Sequence, residues 1–252
     1  MSFDVAGSAY GAFMGRFSEP LAHEFVAVAN LEPGQRVLDV GCGPGALTSE
    51  LVRLLGPESV AAVDPSEPFV AAARERHPDV DVRHAAAEEL PFGNDEFDAA
   101  LAQLVVHFMA DPVQGLREMA RVTRPGGAIA ACVWDHAGGK GPLSVLWEAA
   151  HELDQEVLDE SRLAGARGGH LTELFRAAGL RDVEETTIAV DVDHPSFEEW
   201  WEPYTLGVGP AGAHVAALEP TAREKLRELC RSKLPESPFV VTADAWAARG
   251  LA

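Results

Sequence analysis

The chain has 252 residues, 47% of them hydrophobic, and a formal net charge of −20 with a pI near 4.7. That acidity argues against non-specific nucleic-acid binding, which needs a basic surface to displace counterions, and against an anionic membrane surface. Three cysteines, Cys42, Cys132 and Cys230, form neither a CxxC nor a disulfide framework. The N-terminus lacks a signal-peptide pattern and no apolar run approaches the roughly 20 residues that span a bilayer, so a cytoplasmic location is expected.

Ser18-Glu19-Pro20 reads as a helix start with Ser as N-cap, followed by Leu21, Phe25, Val28 and Ala29 at helical spacing and ended by Pro33-Gly34. Arg36 to Val40 is a β-branched run and gives the first strand. Ala46 to Leu55 is a helix stopped by Gly56-Pro57. Val60 to Val63 is the second strand, Glu67 to Arg76 a helix with His77 at its exposed end, and Val80 to His84 the third strand. Phe97 to Leu101 gives the fourth strand and Pro112 to Val122 the next helix. Arg124 to Gly127 is read as a tight turn before the fifth strand, Ala128 to Trp134.

After Trp134 the rhythm changes. Pro142 to Asp159 and His170 to Ala178 read as helices, and Val183 to Val192 as a strand. Glu198 to Trp201 and Pro220 to Lys233 read as helices, and Phe239 to Trp246 as a last strand, with 207–212 (GVGPAG) a flexible loop and a candidate gate. Strands alternating with helices over short connections predict right-handed crossovers. The expected fold is α/β: a Rossmann-like, doubly wound, mostly parallel seven-stranded sheet with helices on both faces and an added helical cap. One domain is expected over 1–252, with an N-terminal lid (1–34), a core (35–135) and a cap with the last two strands (136–252).

Gly41, Gly43 and Ala46 satisfy G-x-G-x-x-G/A after a strand, and Asp64 follows at about the ~20-residue distance where a carboxylate holds ribose hydroxyls. Asp39 narrows the ligand. A carboxylate beside the loop repels a pyrophosphate and suits a nucleoside that carries positive charge.

The stretch VLDVGCGPG at 37–45, with AVDPS at 62–66, AEELPFGNDEFD at 87–98 and EMARVTRPGG at 118–127, resembles class I S-adenosylmethionine-dependent methyltransferases, in the broad group that includes ubiquinone and menaquinone biosynthesis enzymes. The resemblance implies S-adenosyl-L-methionine as cofactor and methyl transfer to a small molecule. It places Gly41, Cys42 and Gly43 at the methionine portion with Asp39 beneath, Asp64 on the ribose, and Pro65, Ser66, Ala87 and Glu88 around the adenine. Many relatives carry Asp where this chain has Ala86. Gln103 falls where relatives contact the methionine backbone, and Arg16, within the aromatic stretch 10–18, is expected to pair with the methionine carboxylate. Trp134, Trp200, Trp201 and Tyr204 are candidates for an apolar acceptor pocket, and His107 and His136 for a general base. No metal-ligand spacing is present. A nicotinamide-dependent oxidoreductase, and a protein that binds the cofactor without transferring its methyl group, are the competing readings.

Overall fold

A computed structural model describes residues 11–252. Its centre is one seven-stranded sheet built from β1 (Val37–Val40), β2 (Val60–Asp64), β3 (Asp81–His84), β4 (Phe97–Gln103), β5 (Thr123–Trp134), β6 (Arg181–His194) and β7 (Phe239–Leu251), in the order β3-β2-β1-β4-β5-β7-β6. The first five strands in that order pair in parallel. The sheet is mixed because β7 runs antiparallel to both β5 and β6. Residues between Val37 and Leu251, from both sides of Trp134, thus share one sheet.

The helices α1 (Arg16–Ala29), α2 (Ala46–Leu55), α3 (Glu67–Arg76), α4 (Pro112–Val122), α5 (Ser144–Leu153), α6 (His170–Ala178), α7 (Phe197–Trp201), α8 (Gly209–Ala217) and α9 (Pro220–Lys233) supply its cover and cap. Strand side chains alternate between faces, and the core divides accordingly. Val37, Ala99 and Leu101 join Leu21 and Phe25 of α1, Leu47 and Leu51 of α2 and Val70 of α3. Leu38, Val40, Ala100 and Ala102 join Leu116 and Met119 of α4 and Leu171 and Phe175 of α6 on the opposite face. Every residue of β1 and β2 is buried, as a sheet covered on both sides requires.

Five local expectations change. The first long helix starts at Arg16, directly after a π-helical turn over Gly11–Gly15, and Pro20 lies inside it. Ser18 does not cap it; its buried hydroxyl has no partner. The segment Arg124 to Gly127 belongs to β5, which begins at Thr123 opposite Phe97 and resumes regular pairing at Ala128. Gly127 is required there, since a Cβ would stand 2.5 Å from the Asp98 carbonyl oxygen. The stretch read as a loop at 207–212 forms the first turn of α8 from Gly209 onward, and the helix after Pro142 spans only Ser144–Leu153. Both strands after Trp134, β7 inside the sheet and β6 at its edge, are longer than the composition suggests, because each pairs along its length with a neighbour. Among the described residues no helix is long and apolar enough to cross a membrane.

Candidate active site

Beyond the carboxyl ends of β1, β2 and β4 lies a cleft of about 480 Å³. This is the switch point at which β1 connects to β2 on one side and pairs with β4 on the other, where open α/β sheets bind ligands. Its floor is the glycine loop. Gly41 has φ +72°, and a Cβ there would meet Val105 at 2.4 Å, so only glycine lets the loop pack on Val105, two residues after β4. The N–H groups of Gly41 and Cys42 both donate to the Val63 carbonyl at 2.8 and 2.9 Å, pinning the loop to β2. Gly43, at φ +54°, has nothing within 4 Å of its missing Cβ, so its backbone is open to close approach.

The Asp64 carboxylate closes the arrangement. It accepts the Gly43 N–H at 2.8 Å and, through its other oxygen, the Ser66 N–H at 2.8 Å. Burial raises its pKa, and the Ser66 and Gly43 amides and the nearby His84 oppose that rise. Asp39 is buried in β1 and accepts the Thr48 hydroxyl of α2 at 2.6 Å through Oδ2. Burial raises its pKa to about 7, with the Thr48 bond opposing and the charge of Asp64 adding. The Cys42 thiol is pushed well above its ordinary value by burial and by both aspartates, so it stays protonated.

Three oxygens in the cleft wall are buried and unpartnered: Asp39 Oδ1, Gln103 Oε1 and Ser18 Oγ. Their residues are neighbours, because Asp39 pairs with Leu101 two residues before Gln103 and Gln103 Nε2 donates to the Ser18 carbonyl at 2.7 Å. Buried polar atoms are normally hydrogen-bonded. These atoms form an acceptor set for a group that brings its own donors, and an ammonium brings three. The residues present therefore fit a ligand with a cationic amino group and a ribose.

The structure gathers Asp39, Gly41, Cys42, Gly43, Asp64, Pro65, Ser66 and Gln103 around this cleft. It places four other expected contacts elsewhere. Arg16 faces away, its guanidinium on His194 Nδ1 at 3.1 Å and on Glu199 at 3.4 Å, because the first turn of α1 packs against the end of β6. Ala86 is exposed and Ala87 is buried in the core of the opposite sheet face. Glu88 turns from the cleft to accept the N–H groups of Ala110 and Asp111 at 2.7 and 3.2 Å before α4. In their stead the walls include Phe69, His84 and Phe108. His84 Nε2 is 2.8 Å from the Pro65 carbonyl oxygen. His77 is half-buried rather than a surface residue; its Nε2 lies 3.0 Å from Ser49 Oγ against the start of α2.

A second, smaller cavity of about 40 Å³ adjoins the cleft and shares Leu104 and Phe108 with it. Leu104 has φ +60°, a strained backbone for leucine, and its N–H donates to the Cys132 carbonyl at 2.9 Å. Both candidate bases line the cavity, with ring centroids 6.0 Å apart. Burial lowers the pKa of each, to about 4 for His136 and well below its ordinary value for His107, so both imidazoles are neutral near pH 7. Trp134 also lines it. Trp200, Trp201 and Tyr204 do not. They pack with Phe197 as the cap's own aromatic core, Trp200 and Tyr204 at 4.9 Å and Phe197 and Trp201 stacked at 6.3 Å. A periodic aromatic cluster fits either role, and only packing separates them.

A glycine loop, two flanking aspartates and a cleft over the switch point define the class I S-adenosylmethionine-dependent methyltransferases. The comparisons agree. The methyltransferase-domain family matches residues 38–131. The chain is 38% identical over 184 residues to a Mycobacterium ulcerans (strain Agy99) protein named probable phthiotriol/phenolphthiotriol dimycocerosates methyltransferase 2, covering 66% of this chain and 69% of that one. It is 29% identical over 199 residues to a demethylmenaquinone methyltransferase of Clavibacter sepedonicus, covering 73% and 77%. Among solved structures, an S-adenosylmethionine-dependent methyltransferase of Thermotoga maritima has a TM-score of 0.54 at 21% identity over 97% of this chain and 98% of that one. Phosphoethanolamine N-methyltransferase 2 of Haemonchus contortus, in complex with S-adenosyl-L-methionine, has a TM-score of 0.60 at 19% identity, over 100% of this chain and 60% of that one. The two structures show the shared fold. The chain belongs to the S-adenosylmethionine-dependent methyltransferases, with S-adenosyl-L-methionine as cofactor.

Proposed function

We propose that the chain transfers a methyl group from S-adenosyl-L-methionine to a small apolar or aromatic molecule, releasing S-adenosylhomocysteine. The observation that carries the reading is the set of unpartnered oxygens of Asp39, Gln103 and Ser18 beside an open Gly43. Asp39 Oδ1 with its two neighbours holds the amino group of the cofactor. Asp64 holds the ribose hydroxyls through lone pairs that the Gly43 and Ser66 amides leave free, and Pro65 and Ser66 border the base. Ala86, Ala87 and Glu88 have no part in this reading, and Arg16 supports α1 instead of the cofactor's carboxylate. The cofactor supplies a methyl group already activated by its sulfonium. The chain's contribution is position and the exclusion of water: the buried walls hold donor and acceptor in register.

The acceptor side is the smaller cavity, where Trp134 gives an apolar wall. His107 and His136 are neutral there and able to take a proton when the acceptor has one to lose. Relatives named for demethylmenaquinone and for phthiotriol/phenolphthiotriol dimycocerosates are consistent with an apolar acceptor. The three cysteines are unpaired and buried, which suits a reducing cytoplasm, and we read residues 11–252 as one working unit around one sheet.

Calorimetry with S-adenosylmethionine, S-adenosylhomocysteine and NAD tests the cofactor assignment, and micromolar or tighter binding of the first two with none of NAD is expected. Turnover to S-adenosylhomocysteine across a panel of phenols, quinols and fatty acids then tests transfer. Cofactor binding with no turnover on any acceptor would leave a silent binding protein.

A further inference from the structure

The smaller cavity contains a polar group that the sequence did not single out. Glu160 lies in a short 3₁₀ turn of the cap, Glu160–Arg162, and is 3% exposed. Its Oε2 has no hydrogen-bond partner, and neither does Nδ1 of His107. Both residues line the same cavity, whose other walls are mostly apolar: Phe13, Met14, Leu104, Trp134, Leu143 and Val208. Burial raises the Glu160 carboxyl to about 7, with its own backbone amide and then the neighbouring Trp147 indole, which does not reach hydrogen-bond geometry, opposing and the charge of Asp159 adding. A buried carboxyl is costly unless something hydrogen-bonds to it. Two such groups lining one cavity, one from the cap and one from the turn after β4, give an apolar chamber a polar end.

We propose that this cavity receives the polar end of the methyl acceptor, that this end is a neutral hydroxyl on an apolar body, and that Glu160 is the residue that selects it. The inference rests on the methyl-transfer reading for the identity of the neighbouring cleft. A hydroxyl has one donor and two acceptor lone pairs, so it can give a hydrogen bond to Glu160 Oε2 or His107 Nδ1 while receiving one from whichever of the two carries a proton. The pair satisfies a hydroxyl in either protonation state of the carboxyl. An ammonium requires an ionised Glu160 and the removal of two charges from water, which an apolar site penalises. A neutral imidazole can accept one hydrogen bond from an ammonium but brings no opposite charge to it. The small volume, about 40 Å³, admits a hydroxyl with the ring edge that carries it and leaves the remaining body to extend past Leu104 and Phe108 toward the cleft.

Calorimetry on the full chain saturated with S-adenosylhomocysteine tests this, with p-cresol, toluene and benzylamine as probes that share a ring and differ in the polar group. The expected result is that p-cresol binds at least tenfold more tightly than toluene or benzylamine. Glu160→Leu should remove that preference and leave S-adenosylhomocysteine affinity unchanged. If Glu160→Leu fails to fold, Glu160→Gln must weaken p-cresol at least threefold without weakening toluene. Equal binding of p-cresol and toluene, tighter binding of benzylamine, or a p-cresol affinity indifferent to Glu160 each overturns the proposal. Failure of S-adenosylhomocysteine itself to bind the native chain would instead overturn the methyl-transfer reading.

Discussion

The backbone N–H of Gly43 donates to the carboxylate of Asp64 across 2.8 Å, joining the glycine loop after β1 to the last residue of β2. Two features that look independent in sequence are therefore one device. The carboxylate we propose for the ribose also fixes the loop we propose for the methionine portion, with the Ser66 amide on its second oxygen.

Asp64→Ala should thus cost more cofactor affinity than a lost ribose contact alone. Hydrogen bonds to a charged group are each worth about 1.5–3 kcal/mol, so a loss of tenfold or more in S-adenosylmethionine affinity is expected by calorimetry. Asp64→Asn should be milder, because a side-chain carbonyl can still accept the Gly43 amide. Unchanged affinity in both variants would remove Asp64 from the site.

The pH dependence follows from Asp39. Its folded-state pKa lies near 7 against an ordinary value of 3.8, so the folded chain binds this proton more tightly than the unfolded chain does. This group's contribution to stability is therefore full below pH 4 and is lost as pH rises through 7. Glu160, also raised to about 7, acts in the same direction. A cationic ligand favours ionised Asp39, so S-adenosylmethionine affinity should rise between pH 6 and pH 8. Asp39→Asn should flatten that rise and raise the melting temperature of the ligand-free protein at pH 8. Calorimetry and thermal denaturation at several pH values read both effects, and a steep rise that persists in Asp39→Asn would assign the titration to another group.

Gly41 and Gly43 separate folding from binding. Both have positive φ, which costs a residue with a side chain about 1–2 kcal/mol. Only at Gly41 would a Cβ also collide with a neighbour, Val105 at 2.4 Å. Gly41→Ala should lower the melting temperature markedly. Gly43→Ala should fold with a small loss of stability and still bind cofactor poorly, because the new methyl group occupies the open face. Equal stability losses in the two variants would contradict the packing at Val105.

Arg16 offers a test of position. Its pair with Glu199 is partly exposed, and such pairs contribute about 0–1 kcal/mol. Arg16→Ala should leave S-adenosylmethionine affinity within twofold of the native value and reduce stability slightly. Gln103→Ala should weaken cofactor binding, since it removes both the unpartnered Oε1 and the tether to Ser18. The reverse ranking by calorimetry would restore Arg16 as the carboxylate partner.

The first half of the chain was the more legible in sequence. Its strands are short apolar runs separated by turn residues, and the spacing from Gly41 to Asp64 is a local property of one strand–helix–strand unit. What local pattern could not show was direction. Arg16 and Glu88 have suitable chemistry at suitable distances along the chain, yet packing of α1 on β6 and the start of α4 turns both side chains away from the cleft. The cap was less legible still. Trp200, Trp201 and Tyr204 are as compatible with a core as with a pocket, and Gly209 and Gly212 read as loop residues although they lie in α8.

Sequence alone determined the reaction class, because the glycine turns and two carboxylates that mark it lie in one strand–helix–strand unit, where order along the chain is also order in space. Only the tertiary structure formed the chamber we propose for the acceptor. Its parts come from the N-terminal segment, the turn after β4, the end of β5 and the cap, far apart along the chain. Glu160 carries no signal of its own in a protein with many surface carboxylates; burial among apolar side chains, which only folding creates, distinguishes it from the rest.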